Sequence, residues 1–100
     1  MIGTSEQSTL MIGFVYILRS LRNNCFYIGS TINVENRLKK HNNGNVISTN
    51  KYKPFKLEYF QQYSGITMAK QIEYRLKKLK RKDYIEKIVK NKIIRMKLRP

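Results

Sequence analysis

The chain is poor in the residues that most often build metal centres and covalent scaffolds. Its 100 residues include one cysteine, Cys25, and one histidine, His41. A lone cysteine cannot close a disulfide within the chain, which fits a reducing, cytoplasmic setting. One His and one Cys also fall short of a usual zinc ligand set, and a ribonuclease mechanism needing two histidines is excluded. Carboxylates are few: Glu6, Glu35, Glu58, Glu73, Asp83 and Glu86. Two-metal nuclease sites gather several carboxylates around their ions, and so thin a supply argues against one. No apolar run approaches the ~20 residues of a membrane span. Residues 1–9 lack the basic start and apolar block of a secretory signal.

What is abundant is positive charge. There are 21 Lys+Arg against 6 Asp+Glu, a formal net charge of +15. Such a chain attracts polyanions, and nucleic acid is the natural partner, ahead of an anionic membrane surface. The charge is concentrated: residues 70–100 hold 13 Lys+Arg and 3 Asp+Glu, whereas residues 1–69 hold 8 and 3. Binding through such a surface releases counterions, weakens with salt and reads little sequence. The plain alternative is a solvated lysine-rich helix face.

Length allows one domain with one modest core. Residues 1–10 show no periodicity and are expected to be a loose extension, with residues 11–100 forming the domain. The spacing predicts a first strand over 12–19 and a second over 26–31, joined by the polar break at Asn23 and Asn24 as a hairpin. Gly29 within the second strand suggests a bulge or close approach by another backbone. A helix follows, with Asn33 as N-cap, Val34, Leu38 and His41 on one stripe, and a stop at Asn43-Gly44. Residues 45–54 read as a polar surface loop. A third strand is expected over 55–63, then a helix capped by Thr67 with Ala69, Ile72, Leu76 and Leu79 inward, and a last helix over 83–96 burying Ile85, Ile88, Val89 and Ile93. The fold class is α/β (α+β): a small, mostly antiparallel three-stranded sheet flanked by helices.

Among the carboxylates, Glu73 alone sits where a buried helix stripe meets the polar face. One carboxylate can anchor one hard cation if water and substrate phosphate complete the shell. Taken singly, Tyr16 and Tyr27 could be half-buried strand aromatics, Arg37 a solvated arginine, His41 a packed or capping histidine, and Glu73 a partner for Lys70 or Lys77 worth only ~0.2–0.5 kcal/mol.

Taken as an ordered set, Phe14-Val15-Tyr16, Tyr27-Ile28-Gly29, Arg37, His41 and Glu73 resemble the GIY-YIG nucleases, more narrowly their small stand-alone bacterial members. The likeness extends over residues 12–81. It departs at Phe14, where the family's first motif begins with glycine. The resemblance implies that the Tyr16 phenol removes a proton from the attacking water and that Tyr27 bonds the water or phosphate network. It implies that Arg37 pairs with the scissile phosphate and that Glu73 holds one divalent cation, Mg²⁺ or Mn²⁺, at the leaving 3′ oxygen. A free phenol with a pKa of about 10 needs cationic neighbours and a route for its proton. His41 and nearby lysines are expected to supply both. Some relatives use a later asparagine near the metal; Asn91 is too far along the last helix to be assigned. Lys39, Lys40, Lys77, Lys80 and Arg81 are the expected grip on DNA, single-stranded or branched, with RNA also compatible. The competing readings are a non-catalytic binding module on the same fold and a basic structural protein of a ribonucleoprotein.

Overall fold

A computed structural model describes residues 12–96 of the chain. The expected extension over residues 1–10 lies outside the described residues. The sheet is antiparallel throughout, in the order β2-β1-β3, with β1 spanning Gly13–Ser20, β2 Phe26–Thr31 and β3 Phe55–Tyr63. Helix α1 covers Val34–Asn42, α2 Ile66–Leu79 and α3 Lys82–Asn91. Strand β1 lies in the middle, and Val15, Tyr16, Ile17 and Leu18 are all buried. Side chains alternate across a strand, so four buried residues in a row require cover on both faces.

That cover differs between the faces. Val15 and Ile17 join Ala69, Ile72 and Leu76 of α2, Ile85 and Ile88 of α3, and Ile94 in the main core. Tyr16, Leu18 and Phe55 form a second cluster, against which Val34 and Leu38 of α1 pack. Glu58 is the extra residue where the register of β1 with β3 shifts between Ile17 and Leu18. Its carboxylate meets Arg19 Nε at 2.7 Å, and the Arg19 guanidinium lies 4.3 Å above the Phe26 ring. This ties all three strands together at one end of the sheet.

Local chemistry explains the element limits. Asn33 is extended and accepts from the Asn36 amide at 3.0 Å, satisfying a helix-start donor that would otherwise be unpaired. At the other end of α1, Asn42 bonds both backbone groups of Phe55, which fixes the helix to the start of β3. Ser20 is fully buried and its hydroxyl accepts from the Arg22 and Asn23 amides while donating to the Tyr52 carbonyl. It thereby shapes the β1–β2 turn and holds the 45–54 segment against it.

Several expectations need correction. The first strand runs one residue later than expected, 13–20 rather than 12–19. Helix α2 is capped by Gly65, not Thr67, because the extended backbone at Gly65 already starts the helix at Ile66. Leu79 is 40% exposed, since the left-handed Lys80 that follows ends α2 and turns the chain away. Helix α3 stops at Asn91 rather than Met96, ended by a left-handed Lys92 whose amide bonds the Ile88 carbonyl. Beyond that stop the helical period no longer applies. Ile94, not Ile93, enters the core, held by two hydrogen bonds between its backbone and the Gln61 side chain. Residues 45–54 are more than surface loop: they contain a 3₁₀ turn, Asn50–Tyr52, and a buried Thr49.

Candidate active site

The edge strand β2 is where the two faces of the sheet meet. Tyr16 points to the α1 side, yet Gly29, its neighbour across the β1–β2 ladder, has no side chain to block it. A Cβ at Gly29 would overlap the phenol oxygen and ring of Tyr16. The close approach expected at this glycine is therefore real, but it comes from a side chain and not from a backbone. Free of obstruction, the phenol lies over β2 and reaches a cleft of about 820 Å³ that Glu73 of α2 also lines.

The phenol oxygen is held from two directions. It lies 2.9 Å from His41 Nε2 and accepts from Arg37 Nε at 3.3 Å. Arg37 can only donate, which leaves the Tyr16 hydroxyl proton free; with the His41 proton placed on Nδ1, that hydroxyl donates to the bare Nε2. On the other side of the ring, Nδ1 lies 2.8 Å from Thr49 Oγ1; in this tautomer its N–H donates to the hydroxyl, which has the Val46 carbonyl at 3.5 Å for its own proton. We assign this tautomer because in it the hydroxyl protons of both Tyr16 and Thr49 find acceptors within the protein. Thr49 comes from the loop that the sequence marked only as polar; no periodicity or motif signals a threonine eight residues beyond the helical histidine.

These surroundings fix the charges. Burial raises the Tyr16 pKa, opposed by the hydrogen bond and charge of Arg37; Glu73 adds to the rise and Lys77 counters it. Burial, helped by the Arg37 charge, lowers His41 to about 4. The expectation of a cationic histidine beside the phenol is thus corrected. The cation is Arg37, and His41 is a neutral acceptor near pH 7.

That depression has a consequence for stability. The unfolded chain binds a proton on histidine with the ordinary pKa of 6.5, the native protein at about 4, so protonation between these values favours unfolding. The stabilisation is complete above pH 6.5 and is lost as the pH falls towards 4, to a limit on the order of 3 kcal/mol at ~1.4 kcal/mol per pH unit. Urea midpoints of wild type and His41→Gln, at constant ionic strength, should differ most above pH 6.5 and converge towards pH 4. A gap independent of pH would show that His41 is not held neutral.

Tyr27 lies on the same side of β2, stacked on Tyr52 at 5.7 Å and edge-on to Phe55 at 5.4 Å. Its hydroxyl accepts from Asn23 Nδ2 at 2.9 Å, so the β1–β2 turn orients it. On the other side of the strand, Ser30 Oγ donates to Glu73 Oε1 at 2.6 Å, and Lys77 Nζ stands 2.6 Å from Oε2. No sequence pattern assigns Ser30 a role; its adjacency to the Tyr-Ile-Gly triplet is the one signal that points to it. Among the described residues, Arg37 has no carboxylate partner and no group of three or more His, Cys, Asp or Glu residues could hold a metal ion.

Tyr16, Tyr27, Arg37, His41 and Glu73 therefore all line one cleft. Of the expected nucleic-acid contacts, Lys77, Lys80 and Arg81 line it too, joined by Lys70 and Lys82, which were not among those expected contacts. Lys39 and Lys40 are exposed in the last turn of α1 and do not line it. Arg81 is paired with Asp83, at 2.7 Å between Nη2 and Oδ2. Asn91 is exposed at the end of α3 and is not part of the cleft lining. Among the described residues no helix is long and apolar enough to cross a membrane.

The family model described as the GIY-YIG catalytic domain matches residues 12–88. A UPF0213 protein of Bacillus licheniformis is 42% identical over 77 residues, covering 73% of this chain and 78% of the relative. A UPF0213 protein of Clostridium perfringens is 37% identical over 78 residues, 77% of this chain and 83% of its own. One from Pediococcus pentosaceus is 33% identical over 85 residues, 84% and 90%. No solved structure gives a significant match.

Proposed function

Because the chain belongs to the GIY-YIG catalytic-domain family, we propose that it is a metal-dependent endonuclease hydrolysing DNA phosphodiester bonds. Its selectivity is for structure or strandedness, not sequence. The observation that carries this reading is a tyrosine hydroxyl suspended between a neutral histidine acceptor and an arginine donor, in a cleft shared with one carboxylate and several lysines.

The donor set suits a single hard cation. A carboxylate oxygen, an adjacent serine hydroxyl, water and phosphate oxygens are the ligands Mg²⁺ or Mn²⁺ prefers, and Lys77, which holds Oε2, is flexible enough to leave. When bound at Glu73, the cation supplies Lewis-acid stabilisation of the leaving 3′ oxygen. Tyr16 orients the attacking water and takes its proton as the phenol proton passes to His41 Nε2. The water oxygen bonds to phosphorus, the P–O3′ bond breaks, the leaving 3′ oxygen takes a proton from solvent water, and the products carry a 5′-phosphate and a 3′-hydroxyl. The guanidinium nitrogens of Arg37 that do not bond Tyr16 pair with the phosphate as its charge grows. A bound phosphate also offsets the Arg37 charge felt by His41, which makes the imidazole a better base at the moment of attack.

Lys70, Lys77, Lys80 and Lys82 grip the backbone, and no element among the described residues offers a separate base-reading module. The test is cleavage of end-labelled single-stranded, duplex and branched DNA, with matched RNA, in Mg²⁺ or Mn²⁺. Wild type should nick in a metal-dependent way. Arg37→Ala should be slowed ~10²–10³-fold, the cost of removing one transition-state donor, while still binding DNA. Salt-sensitive binding without cleavage of any substrate by wild type would leave the non-catalytic binding module as the answer.

A further inference from the structure

Both oxygens of the carboxylate assigned to the cation already have a partner. Ser30 donates to one oxygen of Glu73 and Lys77 pairs with the other, each at 2.6 Å. We infer that Lys77 is a displaceable counter-ion that occupies the cation's place on Glu73, coupling metal binding to nucleic-acid binding through one side chain. This rests on the reading of Glu73 as the metal-holding residue.

The two partners of Glu73 differ in kind. Ser30 belongs to β2 and lies opposite the fully buried Val15 in the ladder, so its hydroxyl is set by the sheet. Being neutral, it fixes the carboxylate and tolerates a cation beside it. Lys77 is a full positive charge one helical turn from Glu73, and its side chain is 56% exposed against 19% for Glu73. An ammonium and a divalent ion compete for one oxygen, because like charges within ~4 Å in a partly buried site repel strongly. A cation arriving at Oε2 therefore drives Lys77 away. Its unbranched stem lets the ammonium swing within the same cleft, where Lys70 and Lys80 also stand.

Where the ammonium goes decides the coupling. In the free protein, displaced Lys77 enters a cleft already crowded with cations, and metal binding is weakened. With a phosphate backbone in the cleft, the ammonium gains a new anionic partner as it leaves Glu73. Nucleic acid thus raises metal affinity, and metal raises nucleic-acid affinity by the same factor. Such a device keeps the carboxylate closed to cations until a substrate is present.

The experiment measures free Mn²⁺ by electron paramagnetic resonance on the full chain carrying Tyr16→Phe, with and without a short oligodeoxythymidylate checked on a gel to remain intact. Adding Lys77→Met, which keeps the stem, should tighten Mn²⁺ binding about tenfold without DNA and shrink the DNA-induced gain by a similar factor. Lys80→Met, which removes a cleft cation that does not pair with Glu73, should weaken DNA binding and leave Mn²⁺ binding within about twofold. Equal effects of the two lysine variants, or no change on Lys77→Met, would overturn the coupling even if cleavage and its loss in Glu73→Gln establish the nuclease reading. If Mn²⁺ binds none of these proteins, the metal role of Glu73 fails and the inference with it.

Discussion

Replacing Tyr16 by phenylalanine should reduce phosphodiester cleavage by ~10³-fold, within the 10²–10⁴-fold range of a positioned general base. The ring would keep its edge-on contact with His41, at 5.7 Å between centroids, and its place over Gly29. Only the hydroxyl is lost. His41 Nε2 would then be buried without its donor, at a stability cost of about 1–3 kcal/mol. DNA affinity should be almost unchanged, because the grip resides in Arg37 and the lysines. Single-turnover cleavage and equilibrium binding, measured side by side, separate the two effects. Cleavage by Tyr16→Phe within tenfold of wild type would remove the phenol from the chemistry and leave it a packing residue.

Glu73→Gln should have a comparable effect for a different reason. Glutamine keeps the shape, and its carbonyl oxygen can still accept from Ser30 Oγ. What it lacks is the negative charge that holds a cation and pairs with Lys77. Losing several kcal/mol of metal stabilisation corresponds to ~10³-fold or more in rate at 1.36 kcal/mol per decade. The deficit should not be recovered by millimolar Mg²⁺ or Mn²⁺. DNA binding without metal should be as strong or stronger, since the cleft gains one net positive charge and Lys77 is released to a phosphate. Tyr16→Phe offers a contrast: its rate loss should persist at every metal concentration while metal affinity stays near wild type. Wild-type rates in Glu73→Gln at ordinary Mg²⁺ would show that the cation, if used, is held elsewhere.

Much of the fold and the candidate site was legible in the residues alone, and the exceptions have physical causes. The apolar, β-rich runs of β1 and β2, the alternation in β3, the Asn33 cap and the Asn43-Gly44 stop are local properties, and the elements they mark lie where expected or within a residue of it. Local signals failed at helix ends decided by non-local contacts. Nothing near Lys92 indicates that Gln61, some thirty residues earlier, will pin Ile94 and draw it inward in place of Ile93. The left-handed turns at Lys80 and Lys92 fall on residue types that do not announce them.

The sequence by itself determined the polyanion-seeking charge, the scarcity of carboxylates that limits any cation site to one anchor, and the ordered tyrosines, arginine, histidine and glutamate. These are matters of composition and spacing, which a linear chain carries openly. Only the tertiary structure decided how those groups are charged and connected. It buries His41 beside Arg37 and keeps it neutral rather than cationic, and it brings Thr49 from a loop to pair with the far nitrogen of the ring. It lets the Tyr16 phenol lie over Gly29, and it joins Glu73 to Ser30 across the β2 edge. Protonation states and hydrogen-bond partners depend on desolvation and on distances between residues remote in sequence, and both exist only once the chain is packed.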